Sequence, residues 1–166
     1  MALTSLLATA VLTATATAPF TTDQAAKCAA VHAFTLDAMR VATNVPAPIR
    51  RRVRDGLAMW EYELSASAPK MSAEKLQAIA DAAVTKVHED LPQGNSPEAA
   101  AARGDYLTKA SGACANMIAT AYGDAEHPVV PYLREADAKQ GVPQPLPVSG
   151  PLPVASSLDS DQRGLR

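Results

Sequence analysis

Aromatic side chains make up only 4% of the 166 residues, and the chain has two cysteines, three histidines and one tryptophan. So few large rings argue against a sheet-packed core and favour closely packed, alanine-rich helices. The strong metal-binding spacings are missing: there is no Cys-x-x-Cys, no Cys-x-x-Cys-His and no His-Glu-x-x-His. A phosphate-cradling glycine loop and a Ser/His/Asp elbow are missing too, and no cofactor is expected. The formal charge of −2 by itself argues neither for nor against nucleic acid, and no nucleic-acid partner is expected. No apolar run reaches the roughly 20 residues of a membrane-spanning helix, so no transmembrane span is expected.

What is there begins with the first eighteen residues. The first charged side chain is Asp23, and "MALTSLLATAVLTATATAPF" precedes it. The strongly apolar part, Leu3 to Leu12, is followed by small-x-small signatures at Ala14-Thr15-Ala16 and Ala16-Thr17-Ala18. This pattern reads as a signal peptide over 1–18, with cleavage near Ala16 or Ala18 and Ala16 favoured because Pro19 hinders the later bond. No Lys or Arg precedes the apolar core, which departs from the usual pattern. At the other end, "GVPQPLPVSGPLP" carries five prolines in thirteen residues. Proline lacks a donor and disfavours helix in the residue before it, so 141–166 reads as an extended, disordered Pro-rich arm.

Between the ends, residues 20–123 carry four amphipathic segments. The first, about 22–44, has the stripe Val31, Phe34, Ala38, Val41, Val45. The second, about 48–66, opens on Pro48 and has Ile49, Val53, Leu57, Trp60 and Leu64. A third starts at the cap Ser72 and carries Leu76, Ile79, Ala80, Ala83 and Val87. The fourth starts at Ser96-Pro97-Glu98, carries Leu107, Ala110, Cys114, Met117 and Ala121, and ends at Gly123. Short connections between four such helices predict an all-α, up-down-up-down four-helix bundle. Residues 124–140 read as a short extra turn or loop.

Cys28 and Cys114 fit this topology as one disulfide. Cys28 lies roughly 9 Å into the first helix and Cys114 roughly 12 Å before the end of the fourth, at 1.5 Å per residue. Antiparallel neighbours would bring the two to one level, within the short Cα separation a disulfide requires. Two alternatives use the same atoms. Cys28 with His32, four residues on, is a thiolate–imidazole pair, but no third group orients it. Cys28, His32 and Cys114 with Met39 or Met117 would make a soft-donor site for copper(I) or zinc.

One stretch breaks a local rule. Arg50, Arg51, Arg52 and Arg54 crowd the start of the second helix, where cations oppose the helix dipole. The plain reading is a solvated basic face balanced by Glu61 and Glu63. The functional reading is a contact surface for an anion, such as an anionic envelope component or an acidic protein patch. Trp60 reads as core, and His32 as a partly covered residue at the edge of a stripe. The sequence thus predicts an exported, periplasmic or extracellular helical protein of binding or inhibitor type. It is read as non-enzymatic and acting through a helix surface, with a periplasmic metal binder as the alternative.

Overall fold

The computed structural model describes residues 18–42 and 44–139, and everything described is helix or connection. The signal-peptide reading of 1–18, apart from Ala18, and the Pro-rich arm at 141–166 lie outside the described residues. Five helices follow in order: α1 (Thr22–Val41), α2 (Ala47–Ser67), α3 (Ala73–Asp90), α4 (Pro97–Tyr122) and α5 (Val130–Lys139). Among the described residues no helix is long and apolar enough to cross a membrane.

Side chains set the helix starts. Thr21 caps α1 by accepting from the Gln24 amide at 3.2 Å, and Gln24 Oε1 accepts from the Thr21 amide in return. Ser72 and Ser96 cap α3 and α4 in the same way, each on the amide three residues ahead. Gly123 ends α4 at φ 55°, a left-handed position that glycine takes without a Cβ clash.

The alternation of direction is as the sequence predicts. Ser67, at the end of α2, donates to Thr22 at the start of α1. Phe34 and His88, near the ends of α1 and α3, face each other, so those two helices run the same way. On α4, Cys114 meets Cys28 and Ser111 meets Thr35, so α4 runs against α1. The arrangement is less symmetric than a square bundle, because α1 packs closely on α2, α3 and α4 together. Eight of its residues are buried, from Ala25 to Thr35, and four of them are alanine. Only small side chains let three helices approach one.

This central placement corrects the stripe read for α1. Burial sits in its first two-thirds and wraps around the helix, while Val41 is 84% exposed and Ala38 is exposed. Within α4, Ala121 is likewise exposed, and Ser111, Ile118 and Tyr122 take up inward positions beside Leu107 and Cys114. Residues 130–139, expected as loop or turn, form α5, which is fastened to α2 by Asp137.

The disulfide joins Cys28 and Cys114 with Cα atoms 5.7 Å apart, inside the core cluster of Phe20, Ala25, Ala26, Trp60 and Leu64. It closes a separation of 86 residues. In the chain-entropy picture such a loop is worth about 4–5 kcal/mol. A Cys28→Ser, Cys114→Ser double variant is therefore expected to lose most of that in guanidinium unfolding. An unchanged midpoint would show that the bond contributes nothing to stability.

Candidate functional site

The inward face of α2 runs Val53, Trp60, Leu64, and it also carries polar groups on the same arc. Gly56 stands one turn before Trp60, Glu63 one turn after, and Arg52 one turn before Gly56. Beside this face lies a cavity of about 380 Å³, bounded by α1, α2, the last turns of α4, the α4–α5 connection and the start of α5. Its apolar wall includes Val53, Met59, Ile118 and Val130, and its polar groups include His32, Arg52, Trp60 and His127.

His32 is buried on α1 at 2% exposure, which corrects its reading as a stripe-edge residue. Its Nδ1 lies 2.9 Å from the Cys28 carbonyl and donates to it, so Nε2 is left as the acceptor of a neutral ring. Burial pushes the His32 pKa down, against a smaller rise from that backbone bond. The ring lies against Gly56, where an added Cβ would come within 2.5 Å of Nε2. Here the glycine is a matter of space, because α1 and α2 close onto a histidine ring. Trp60 is fully buried against Phe20, with ring centroids 4.7 Å apart, yet its Nε1–H has no hydrogen-bond partner among the described residues.

At the far end of the cavity a second set of polar groups closes the wall. Glu63 is fully buried, which corrects its reading as a surface counter-charge. Its Oε1 accepts a very short hydrogen bond from Tyr122 and another from His127 Nε2 at 3.0 Å. His127 Nδ1 in turn accepts from the Val129 amide at 3.2 Å. Both ring nitrogens are thus engaged, and the neutral Nε2–H tautomer is the one that satisfies them. Burial lowers the His127 pKa against the opposing pull of Glu63, and it pushes the Tyr122 phenol up. With no lone pair left for a substrate, His127 pins the α4–α5 connection rather than serving as a base.

The four arginines are dispersed rather than gathered on one surface. Arg50 reaches back to the carbonyls of Ala42 at 3.0 Å and Val45 at 3.4 Å, at the C-terminal end of α1. A cation there complements the α1 dipole, which explains its awkward place on α2. Arg54 pairs with Asp55 at 2.7 Å and with Asp137 at 3.0 Å, and Arg51 lies 3.7 Å from Asp137. Arg52 alone of the four lines the cavity. It makes no ion pair among the described residues.

The set Cys28, His32 and Cys114 is brought together, but as a disulfide beside a hydrogen-bonded imidazole. Metal ligation needs thiolates, which the bond removes. Met117 packs beside the disulfide, and among the described residues no group of three or more His, Cys, Asp or Glu gathers at a metal-binding distance. The sequence offers no functional signal at Tyr122, His127 or Asp137, and it reads Glu63 only as a surface counter-charge. For Glu63 the signal was its spacing: three residues after Trp60 and next to Leu64, it falls within the inward arc. Compared with protein-family models, with curated proteins and with solved structures, the chain finds no match.

Two expectations follow from this geometry. In an exposed helix Gly→Ala gains about 1 kcal/mol. Here Gly56→Ala should instead lower stability, since overpacking costs about 1–3 kcal/mol. A raised melting temperature would contradict the close approach of His32. The second concerns acid. His32 and His127 both have folded pKa values below the ordinary 6.5. Their contribution is complete above about 6.5 and is lost as pH falls from there through the folded values. The melting temperature should therefore be level from pH 7 to 8 and decline toward pH 5, less steeply in His127→Gln. Equal slopes in the two proteins would remove His127 from the effect.

Proposed function

We propose that this chain is an exported, non-enzymatic binding protein that holds a small molecule in the cavity between α1, α2, α4 and α5. The observation that carries this reading is the cavity itself, lined by Arg52, which makes no ion pair among the described residues, and by Trp60, whose buried indole N–H has no protein partner there. A buried donor left unsatisfied costs about 1–3 kcal/mol. A mostly apolar cavity with a few convergent polar groups is the ordinary form of a small-molecule site. At about 380 Å³ it lies within the usual size range for one.

Export rests on two supports. One is the signal-peptide pattern of residues 1–18. The other is the disulfide, a bond that persists in oxidising compartments such as the periplasm or the extracellular space. The helix-surface reading of the arginine cluster narrows accordingly. Arg50, Arg51 and Arg54 serve contacts within the fold, and Arg52 is the member that faces a ligand.

Native mass spectrometry tests the proposal on full-length protein recovered gently from an exporting host. A stoichiometric small-molecule adduct is expected, and it should be lost from Ala119→Phe, which fills the cavity from an exposed position on its rim. The sole tryptophan gives a second readout, because a bound molecule alters Trp60 emission. Protein that emerges bare, and whose emission responds saturably to no member of a small-molecule library, overturns the proposal.

A further inference from the structure

The unmatched polar groups of the cavity follow one another along a single wall. Arg52, Gly56 and Trp60 stand four residues apart on α2, about 6 Å of rise per step. Helical side chains lean toward the N-terminus, so the Trp60 indole covers the turn of Gly56. At that turn the missing Cβ admits the His32 ring from α1. Arg52, His32 and Trp60 thus line one side of the cavity. Indole and guanidinium donate hydrogen bonds and accept none. The neighbouring arginines of α2 have carboxylates or carbonyls as partners, whereas Arg52 has no ion pair among the described residues.

We propose that the ligand has an apolar body and one carboxylic acid group, with Arg52 as the counter-charge of the acid. The inference rests on the cavity being a binding site. The Arg52 guanidinium donates to the acid oxygens on the wall it shares with His32 and Trp60. Met59, Ile118 and Val130 receive the hydrocarbon part. Charge elsewhere around the cavity does not compete for this role. Glu126 and Arg134 pair with each other, both nitrogens of His127 are engaged, and Asp124 is exposed. A neutral amide of the same shape leaves the guanidinium without an anion.

The test titrates benzoate, 1-naphthoate and decanoate, each beside its primary amide, into the full-length protein and follows Trp60 emission. At least one acid should bind roughly tenfold or more tightly than its amide, the usual scale of a charge-assisted pair. Arg52→Gln should bring that acid down to the level of its amide while leaving the amide unchanged. Acids and amides of equal affinity would overturn the acid assignment and leave the cavity standing. If neither series bound the folded protein, the cavity reading would fall, and this inference with it. An acid preference that survived Arg52→Gln would remove Arg52 from its place beside the ligand.

Discussion

Everything in this fold depends on α1 being covered from three sides. A helix can accept three close neighbours only where its side chains are short, and Ala25, Ala26, Ala29 and Ala30 supply that surface. Short side chains also bury little apolar area, so each contact is weak on its own. Covalent closure of the Cys28–Cys114 loop compensates by restricting the unfolded chain rather than by adding contacts. The two features belong together: the alanines bring α4 near enough for the bond, and the bond stabilises a core that alanines leave thin.

With so little hydrocarbon at the centre, polar groups carry much of the specificity. Thr35 meets Ser111 across α1 and α4, His32 is fixed by the Cys28 carbonyl, and Glu63 gathers Tyr122 and His127. Asp137 fastens α5 to two arginines of α2. Apart from His32, whose partner lies one turn back in α1, each draws its partner from elsewhere in the fold, so a slipped helix would leave it unsatisfied. The arginines at the start of α2, unfavourable on a helix considered alone, become reasonable once α1 ends beside them and α5 lies over them. A locally poor choice here reflects a demand from neighbouring elements.

The four long helices, their caps and the disulfide were legible because each is written in local or paired signals. Ser72 and Ser96 mark starts, Gly123 marks a stop, and two cysteines at matching levels admit one pairing. The α1 stripe was misread because periodicity presumes one buried face, whereas α1 has three neighbours and no single apolar side. The fifth helix is hard to read because prolines stand at 128 and 131, although Pro131 sits in the first turn of α5, where its missing N–H does no harm. Buried carboxylates escape sequence reading for a further reason. Charge type suggests solvent for Glu63 and Asp137, and only tertiary partners make burial tolerable.

That contrast sharpens the meaning of the cavity. Among the described residues three buried side-chain atoms lack a hydrogen-bond partner: Trp60 Nε1, Glu63 Oε2 and Asp137 Oδ2. Each carboxylate is partnered through its other oxygen, whereas Trp60 has no second polar atom, and phenylalanine would fill similar space without a donor to satisfy. Gly56 is a different case. Alanine there would favour the helix, but glycine lets His32 sit against α2, one turn from that indole. Packing accounts for Gly56, which makes room for the His32 ring, but it gives no reason for an unpartnered donor at Trp60.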